Sequence, residues 1–513
     1  MSEFVIKTTK NTIFNFLNTI SSFLGGAVLS IIIARGLGPK LLGQYSFITY
    51  LIVLITTIFA LGLPSTLTRY IAEYTGKNDQ ASISHLIILS LKILLILSLI
   101  ASLVFFIIFN IAGDANPSLK SIQYAILATL CIAPTLIASI FRSILTGYQD
   151  FLYLLKVNIV SNTTLLVADI LVILTHFNIK GLLMVNLLIN VLVIILIYSK
   201  YRTFKNSYLA DSQSSFNYNK LVEIYKYIWP LAIISIIDMI VWQSSEIIFL
   251  GIFRTTQEIA FYTIPFNISF MIMSALPGAF ITTLVPLLSS FYGKNSVETM
   301  EKIFYTSFKL VTYLIIPICF GVSLLSKVII TTLYGNNYLT AYQFLPPLII
   351  SSGLGFIAAT GSSLLYSIKK QIIILKLMAM VFLINISLDI ILIPTYGIIG
   401  AVIANVSAQL TSTIFTLVFA FRVYKKYVHF SVILKPLFSA SLMSLIILMI
   451  LKYQNNLLGL IISIFIGTIS YLIFLLVIKG LNNDDKNILL GLGEYFPSKI
   501  KPIYTIIINK LIL

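Results

Sequence analysis

The chain has 513 residues, of which 58% are hydrophobic and only 10% are charged, and its mean hydropathy is +1.01. Water-soluble proteins of this length carry about a quarter charged residues, so the composition excludes a soluble globular protein and predicts an integral membrane protein. The formal net charge is +17. Because the basic residues lie between apolar stretches rather than in a polar domain, no nucleic-acid partner is expected.

Fourteen apolar stretches are long enough to cross a bilayer, whose hydrocarbon core of about 30 Å requires roughly 20 helical residues. Lipid offers no hydrogen bonds to an open backbone, so each stretch is predicted to be a transmembrane helix. Several gaps are as short as Lys369-Lys370, which predicts antiparallel hairpins. In chain order the predicted spans are 12–34, 44–66, 84–111, 121–146, 153–175, 181–198, 226–252, 259–289, 304–330, 343–367, 370–392, 397–421, 432–451 and 456–479.

The basic residues alternate between the two ends of these spans. Of the 34 Lys and Arg residues, 26 lie at the termini and in the even-numbered connections, 7 lie in the odd-numbered connections, and Lys92 lies within a span. Cytoplasmic loops carry the excess of Lys and Arg. The pattern therefore predicts a multi-pass protein of the cell membrane with both termini in the cytoplasm.

The chain is predicted to contain two six-helix halves. The longest connection, 199–225, follows the sixth span, and several residues recur in the same order six spans later. Repeated halves are typical of secondary transporters that bind their substrate between the halves. The predicted divisions are 1–210, 211–430, two additional helices in 431–480 and a cytoplasmic interfacial tail in 481–513. The recurring sets are Arg35, Tyr45, Asp169, Gly181 and Asn186 in the first half, and Arg254, Tyr262, Asp389, Gly400 and Asn405 in the second.

Four carboxyl groups fall within predicted spans: Asp169, Asp238, Glu246 and Asp389. Such a group costs about 2.5–3.5 kcal/mol at a helix centre, so it is expected to face a hydrated cavity, to pair, or to bind a coupling H+ or Na+. For Asp169 and Asp389, near the outer ends of their spans, hairpin capping or an ion pair is the structural alternative. In the seventh span the i, i+3, i+7, i+11 spacing predicts one hydrated helix face; it contains Ser235, Asp238, Trp242 and Glu246.

A second polar face is predicted on the first span, which is the repeat partner of the seventh. Its amides suit the hydroxyl groups of sugars, although such residues also join helices to each other. Arg142, at the cytoplasmic end of the fourth span, is a candidate for binding an anionic lipid phosphate; the alternative is that it merely reaches the membrane interface. The first-span face contains Asn11, Asn15, Asn18 and Ser22.

No catalytic constellation is present in the sequence. His85, His176 and His429 are isolated from each other, and Cys131 and Cys319 fall within apolar spans, where they are interpreted as inert buried thiols. There is no phosphate-binding loop, no nucleophile elbow and no metal-spaced set of ligands. The chain is therefore predicted to be no enzyme and to need no cofactor or metal, and an ion gradient, the membrane potential or the substrate gradient is expected to drive it.

Four short motifs resemble the polysaccharide-biosynthesis transporters (Wzx-type flippases) of the multidrug/oligosaccharidyl-lipid/polysaccharide (MOP) exporter superfamily. Together they cover residues of about 10–430. The motifs are Arg35-Gly36-Leu37-Gly38-Pro39 with Gly43-Gln44-Tyr45, Arg142 with Gly147-Tyr148-Gln149-Asp150-Phe151, Leu333-Tyr334-Gly335 through Ala341, and Ile393-Pro394-Thr395-Tyr396-Gly397 through Ala401.

The resemblance implies a MATE-like fold of two six-helix lobes in a V, with two additional helices. It also implies that the protein carries a lipid-linked oligosaccharide across the membrane, together with membrane lipid and polysaccharide-assembly enzymes as partners. Relatives that flip the peptidoglycan precursor have arginines on the first span, where this chain has Asn15 and Asn18, which argues against that substrate. The alternatives are a multidrug/cation antiporter of the same fold, whose cation the acids and Trp242 would suit, and a membrane glycosyltransferase or polymerase, for which the outward connections are too short.

Overall fold

A computed structural model of the chain describes residues 2–77, 79–208, 218–242, 245–294, 296–424, 430–454 and 456–480. These residues are helical and include no β-strand. The helices are α1 (Ser2–Ala60), α2 (Leu63–Gly76), α3 (Gln80–Ala115), α4 (Ile122–Gly147), α5 (Phe151–Leu174), α6 (Asn178–Tyr208), α7 (Tyr218–Trp242), α8 (Glu246–Phe253), α9 (Thr256–Met273), α10 (Ala279–Gly293), α11 (Val297–Leu333), α12 (Leu345–Ser367), α13 (Gln371–Tyr396), α14 (Ile398–Tyr424), α15 (Ser431–Tyr453) and α16 (Leu457–Val477).

The structure is that of a multi-pass membrane protein. In the described part of the chain, eleven helices are long and apolar enough to cross a bilayer, and a twelfth crossing results if α7 and α8, which meet at 54°, form one broken span. Large apolar side chains cover the outside of these helices: Leu99 and Val477 are both 73% exposed. Apolar surface of this extent requires lipid around it. The count of fourteen spans stays a prediction, since α1 contains the first two predicted spans within one kinked helix.

The motifs found in the sequence lie at helix junctions, and their residue types explain the junctions. Gly38 has a φ of 72°, which interrupts α1 between the first two predicted spans, and Pro39 restarts the helix. This left-handed backbone conformation strongly favours glycine. Gly397, with a φ of 58°, makes the tight turn between α13 and α14. At the start of α5, the side chain of Asp150 accepts a hydrogen bond from the Tyr153 amide at 3.1 Å, as a helix cap does.

The described residues form two compact units. The first extends to Thr263 and also includes Phe382–Ala404; the second contains Ile264–Val381 and the residues from Asn405 onward. In the first unit α1 packs against α3, α4, α5 and α7, whereas in the second α11 packs against α12 and α15. The predicted halves 1–210 and 211–430 follow the internal repeat rather than this packing and stay a prediction, as does the division at 431–480. The predicted tail 481–513 lies outside the described residues.

Within the first unit, backbone segments that are distant in sequence come into close contact. A methyl group added at Gly43 would lie 1.6 Å from the Thr256 carbonyl oxygen, so α1 touches the beginning of α9 at a point where only glycine fits. The Gln44 amide donates a hydrogen bond to the Ser118 carbonyl at 2.6 Å. These contacts join the motif around Gly43 and Gln44 to two later segments of the same unit.

Candidate functional site

The helix of the predicted seventh span is interrupted at the site. α7 ends at Trp242 and α8 begins at Glu246, so the prediction of one continuous helix face from Ser235 to Glu246 is wrong for Glu246. The residue before α8 is Ser245, whose amide bonds back to the Ile240 carbonyl at 3.3 Å. The Ser245 side chain does not cap α8, so its hydroxyl group is available to a neighbouring helix. The interruption lets Ser245 and Glu246 point at the same neighbour.

That neighbour is α13. The Ser245 hydroxyl lies 2.8 Å from Asn385 Oδ1 and 2.7 Å from Asp389 Oδ2, and the Asn385 amide donates a hydrogen bond to Glu246 Oε1 at 3.3 Å. None of these four side chains is more than 1% exposed. The structure therefore brings together two of the four carboxyl groups that the sequence singled out, in a buried polar cluster within the first unit. We call Ser245, Glu246, Asn385 and Asp389 the carboxyl cluster.

The Ser245 hydroxyl group cannot satisfy both of its neighbours in the carboxyl cluster. Ser245 has one hydroxyl hydrogen and can donate to only one of its two acceptors. Asp389 Oδ1 is buried and has no hydrogen-bond partner among the described residues, none of whose Lys or Arg side chains forms a salt bridge with it. The buried Tyr50 hydroxyl lies near both carboxyl groups and likewise has no hydrogen-bond partner within the described ranges.

This arrangement suits a bound proton or a small cation. Two carboxylates close together in a medium of low dielectric constant repel each other unless a proton or a cation lies between them. The atoms that the carboxyl cluster offers as ligands to a cation are oxygen atoms, which hard cations prefer. In the part of the chain that the structure describes, no group of three or more His, Cys, Asp or Glu residues is placed to hold a metal ion. Asp389 lies within α13 and is bonded to Ser245, and among the described residues it neither caps the α13–α14 hairpin nor forms a salt bridge.

Contacts at the end of α8 and in the α13–α14 hairpin hold the two sides of the carboxyl cluster together. The Arg254 guanidinium group donates to the carbonyl groups of Ile393 and Pro394 at 3.1 and 2.8 Å. The Asn116 amide donates to the carbonyl groups of Gly251 and Arg254 at 2.8 and 2.7 Å. Arginine is suited to this task because its planar donors can bind two acceptors at once. Arg254 thus fixes α13 against the end of α8, and this contact positions Asp389 next to Glu246.

The other two carboxyl groups lie apart from the carboxyl cluster. Asp169 lies on α5 and is only 3% exposed. Among the described residues, the Tyr45 side chain on α1 lies close enough to interact with it electrostatically. Asp238 is on α7, exposed, and no described residue forms a hydrogen bond or an ion pair with it. It lies one helical turn from Ser235.

The remaining predicted residues divide into two groups. Arg142 is exposed on α4, one turn beyond Ser139. The second group contains Asn11, Asn15, Asn18, Ser22 and Trp242. The structure describes the helical backbone at these positions but not their side chains.

A cavity of about 240 Å³ lies in the first unit, among α1, α2, α4 and α7. Of the lining residues that carry a hydroxyl group, only Ser235 was noted from the sequence. Single Thr and Ser residues in apolar helices carry no periodic signal, which is why the others were missed. Tyr50 was missed for the same reason, whereas the serine before Glu246 was a readable sign of a helix start. The hydroxyl-bearing residues of the cavity are Thr56, Thr57, Ser65, Thr135, Ser139 and Ser235.

Comparison with known families decides the identity of the chain. The model of the family described as "Polysaccharide biosynthesis protein" matches residues 8–292, more than half of the chain. The chain belongs to this family. The resemblance that the four motifs carried is therefore confirmed, and for this member of the family the motifs mark helix junctions.

Solved structures confirm the fold of this polysaccharide biosynthesis family member. The lipid II flippase MurJ, in an inward closed conformation, is similar with a TM-score of 0.70 and 20% identity, covering 90% of this chain and 97% of that one. A multidrug resistance MATE family transporter of the MOP superfamily, in an inward-facing conformation, is similar with a TM-score of 0.62 and 17% identity, covering 82% and 96%. Likeness at this level establishes the fold alone, and the prediction of an all-α, MATE-like membrane protein is confirmed.

Two curated proteins are related over part of their length. Stage V sporulation protein B of Bacillus subtilis is 28% identical over 126 residues, 24% of each chain. The probable low-salt glycan biosynthesis flippase Agl15 of Haloferax volcanii is 22% identical over 212 residues, 41% of this chain and 43% of the relative. The chain thus matches less than half the length of either relative.

Proposed function

We propose that the protein flips a lipid-linked oligosaccharide, on a polyprenyl-phosphate type of carrier, from the cytoplasmic to the outer leaflet for the assembly of a surface polysaccharide. The observation that carries this proposal is the family match over residues 8–292. The printed name of the glycan biosynthesis flippase and the similarity in fold to a lipid II flippase support it. The presence of Asn15 and Asn18 in place of arginines favours a substrate other than the peptidoglycan precursor.

The proposed mechanism is alternating access without an enzymatic step. The sugar–phosphate head is translocated through a polar passage to which Asn11, Asn15, Asn18, Ser22 and Trp242 contribute, and the polyprenyl tail stays in lipid. Arg142 is proposed to bind the phosphate, since a guanidinium group can bind an anionic oxygen pair. The protein acts in the cell membrane with both termini in the cytoplasm, where polysaccharide-assembly enzymes supply its substrate.

The carboxyl cluster is proposed to couple transport to H+ or Na+. Its two acids are buried, a serine and an asparagine connect them, and Asp389 has an oxygen atom without a partner among the described residues. A buried site of this kind binds a cation only when the helices around it are in contact, so occupation of the site can bias a conformational equilibrium. Asp238 is a secondary candidate for the same role, and Asp169, whose neighbours in the described residues include no second acid, is the weakest candidate.

Transport of a labelled glycolipid in proteoliposomes tests the proposal. The purified protein should move a fluorescent polyprenyl-pyrophosphate oligosaccharide between leaflets, measured by the accessibility of the label to a membrane-impermeant quencher. In cells, deletion should trap the lipid-linked glycan in the inner leaflet. If the reconstituted protein moves no glycolipid, and deletion leaves the surface polysaccharide unchanged, the proposed function is wrong.

A multidrug/cation antiporter is the second candidate. The similarity to a MATE family transporter and the buried carboxyl cluster favour it, since paired acids can exchange a cationic drug for an ion. Export of cationic dyes by the reconstituted protein, with no polysaccharide defect in the deletion strain, would identify the antiporter. If the reconstituted protein moves glycolipid but exports no dye, the result would identify the flippase.

A further inference from the structure

The cavity among α1, α2, α4 and α7 has a wall made mainly of hydroxyl groups. Six of its ten lining residues are Ser or Thr, and none of the ten carries a charge. An ionic ligand would find no opposite charge in such a cavity, and its loss of hydration would be uncompensated. The chemistry of the wall therefore selects a neutral polar ligand.

Four of the six hydroxyl groups have their hydrogen engaged within their own helix, so they can act only as acceptors toward a ligand. Thr56 and Thr57 each donate their hydrogen to the carbonyl group four residues earlier in α1, at 2.8 Å, and Thr135 does the same in α4 at 2.7 Å. Ser139 donates to the Leu136 carbonyl at 2.6 Å. A hydroxyl group whose hydrogen is engaged still has lone pairs to offer. At these four positions a ligand must bring the hydrogens.

The backbone around the cavity includes the end of α1 and the beginning of α2. Ala60 lines the cavity and is the last residue of α1, where helix carbonyl groups lack partners within the helix. Pro64, at the beginning of α2, also lines it and has no amide hydrogen to donate. The first turn of α2, with Ser65, also lines the cavity, and its amides lack carbonyl partners within the helix, so the backbone offers donors beside these acceptors.

The size of the cavity limits the ligand to one small ring. Its volume of about 240 Å³ exceeds that of a few water molecules at roughly 30 Å³ each. It is smaller than the range of about 300–1,000 Å³ that accommodates drug-sized ligands. Thr135, Ser139 and Arg142 follow i, i+4, i+7 spacing on α4, so a cationic side chain continues the face that lines the cavity.

We propose that this cavity is a subsite for one neutral sugar ring, bound through its hydroxyl groups as donors, with Arg142 beside it for the adjoining phosphate. The inference rests on the proposed function, because it assigns one part of the transported glycolipid to a place in the first unit. It adds a specificity: rings rich in free hydroxyl groups should bind, and rings whose hydroxyl groups are capped should not.

Saturation-transfer NMR on the full chain in nanodiscs tests this, because it detects weak binding of small sugars. The probes are methyl glucoside, methyl galactoside and methyl mannoside, together with the per-O-methylated form of each, which keeps the acceptors but has no hydroxyl donor. At least one free glycoside should give a signal that its methylated form does not give. Equal signals from the two forms, or no binding of any glycoside, would overturn the proposal.

Matched variants locate the binding. The double change Thr57→Val with Ser139→Ala removes two wall acceptors and should weaken glycoside binding about tenfold. Thr146→Val with Thr175→Val is the control, since both hydroxyl groups donate to the carbonyl four residues earlier but neither lines the cavity. Thr57→Ser keeps the hydroxyl group and should bind as wild type does, which separates loss of an acceptor from misfolding. Unchanged affinity in the cavity double variant would overturn the proposal.

The glycolipid assay separates this inference from the proposed function. Glycolipid transport with no glycoside binding at the cavity contradicts the subsite and leaves the flippase intact. Glycoside binding that depends on Thr57 and Ser139, without any glycolipid transport, supports the sugar site and contradicts the flippase.

Discussion

Asp169 and Asp389 occupy corresponding places in the predicted repeat, yet their surroundings differ. Both are nearly inaccessible, at 3% and 0% exposure. Asp389 is bonded to Ser245 and has a second acid, Glu246, in its cluster, whereas the described electrostatic neighbour of Asp169 is Tyr45. One position belongs to a two-acid site and the other does not, so equivalent positions in a repeat need not have equivalent chemistry.

The difference originates in the partner helix. Glu246 lies eight residues before Arg254, and the residue eight positions before Arg35, the repeat counterpart of Arg254, is Ala27. α1 therefore has no acid at the position equivalent to Glu246, and it continues through this region without the interruption that separates α7 from α8. A lone buried carboxyl group can stay neutral by holding its own proton, whereas two in contact create a site that binds and releases one. We expect the second repeat to carry ion coupling.

The largest expected effect is a difference in transport rate between variants of Asp389 and of Asp169. Asp389→Asn, and likewise Glu246→Gln, should lower ion-driven glycolipid transport by at least about tenfold, because the charge that binds the ion is lost. Asp169→Asn, the matched change in the first repeat, should stay within about twofold of wild type. Initial rates in proteoliposomes with an imposed H+ or Na+ gradient measure both. Equal losses for Asp169→Asn and Asp389→Asn would contradict the assignment of coupling to one repeat.

An intermediate effect is expected for the serine of the carboxyl cluster. Ser245→Ala removes a hydroxyl group that lies within hydrogen-bond distance of both Asn385 and Asp389, and leaves buried acceptors unsatisfied at a cost of about 1–3 kcal/mol. Ser161→Ala is the control: that buried serine on α5 bonds only to its own helix, at the Val157 carbonyl. Thermal unfolding in detergent should show a lower midpoint for Ser245→Ala alone. A similar midpoint for the two variants would show that the cluster does not depend on this hydroxyl group.

The smallest effect is expected for the tyrosine near the acids. Tyr50→Phe removes a buried hydroxyl group that has no hydrogen-bond partner in the described ranges, so thermal stability should stay within about 1 kcal/mol of wild type or rise. Ion-driven transport should nevertheless fall if this hydroxyl group helps to hold the ion. Tyr45→Phe, near Asp169, should change neither quantity. A clear loss of stability in Tyr50→Phe would reveal a structural role instead.

Much of the site was within reach of the sequence. Asp389 and Glu246 were identified because a carboxyl group inside an apolar span is costly, and that cost depends only on local hydropathy. The continuous face from Ser235 to Glu246 was wrong because helical spacing assumes an unbroken helix, and Ser245 marks a new start. The cavity hydroxyl groups and Tyr50 were invisible, since residues that act together there come from different helices and show no spacing along the chain.

The sequence by itself determined that the chain spans a membrane many times, which family it resembles and where short gaps join neighbouring spans in hairpins. Hydropathy and turn geometry are properties of a few neighbouring residues, so a single sequence contains them. Only the tertiary structure decided that Glu246 meets Asn385, 139 positions away, and that Asp169 stays apart from this pair. Such a contact depends on a broken helix and on the Arg254 bonds to the α13–α14 hairpin, and long-range packing of this kind leaves no local pattern in the chain.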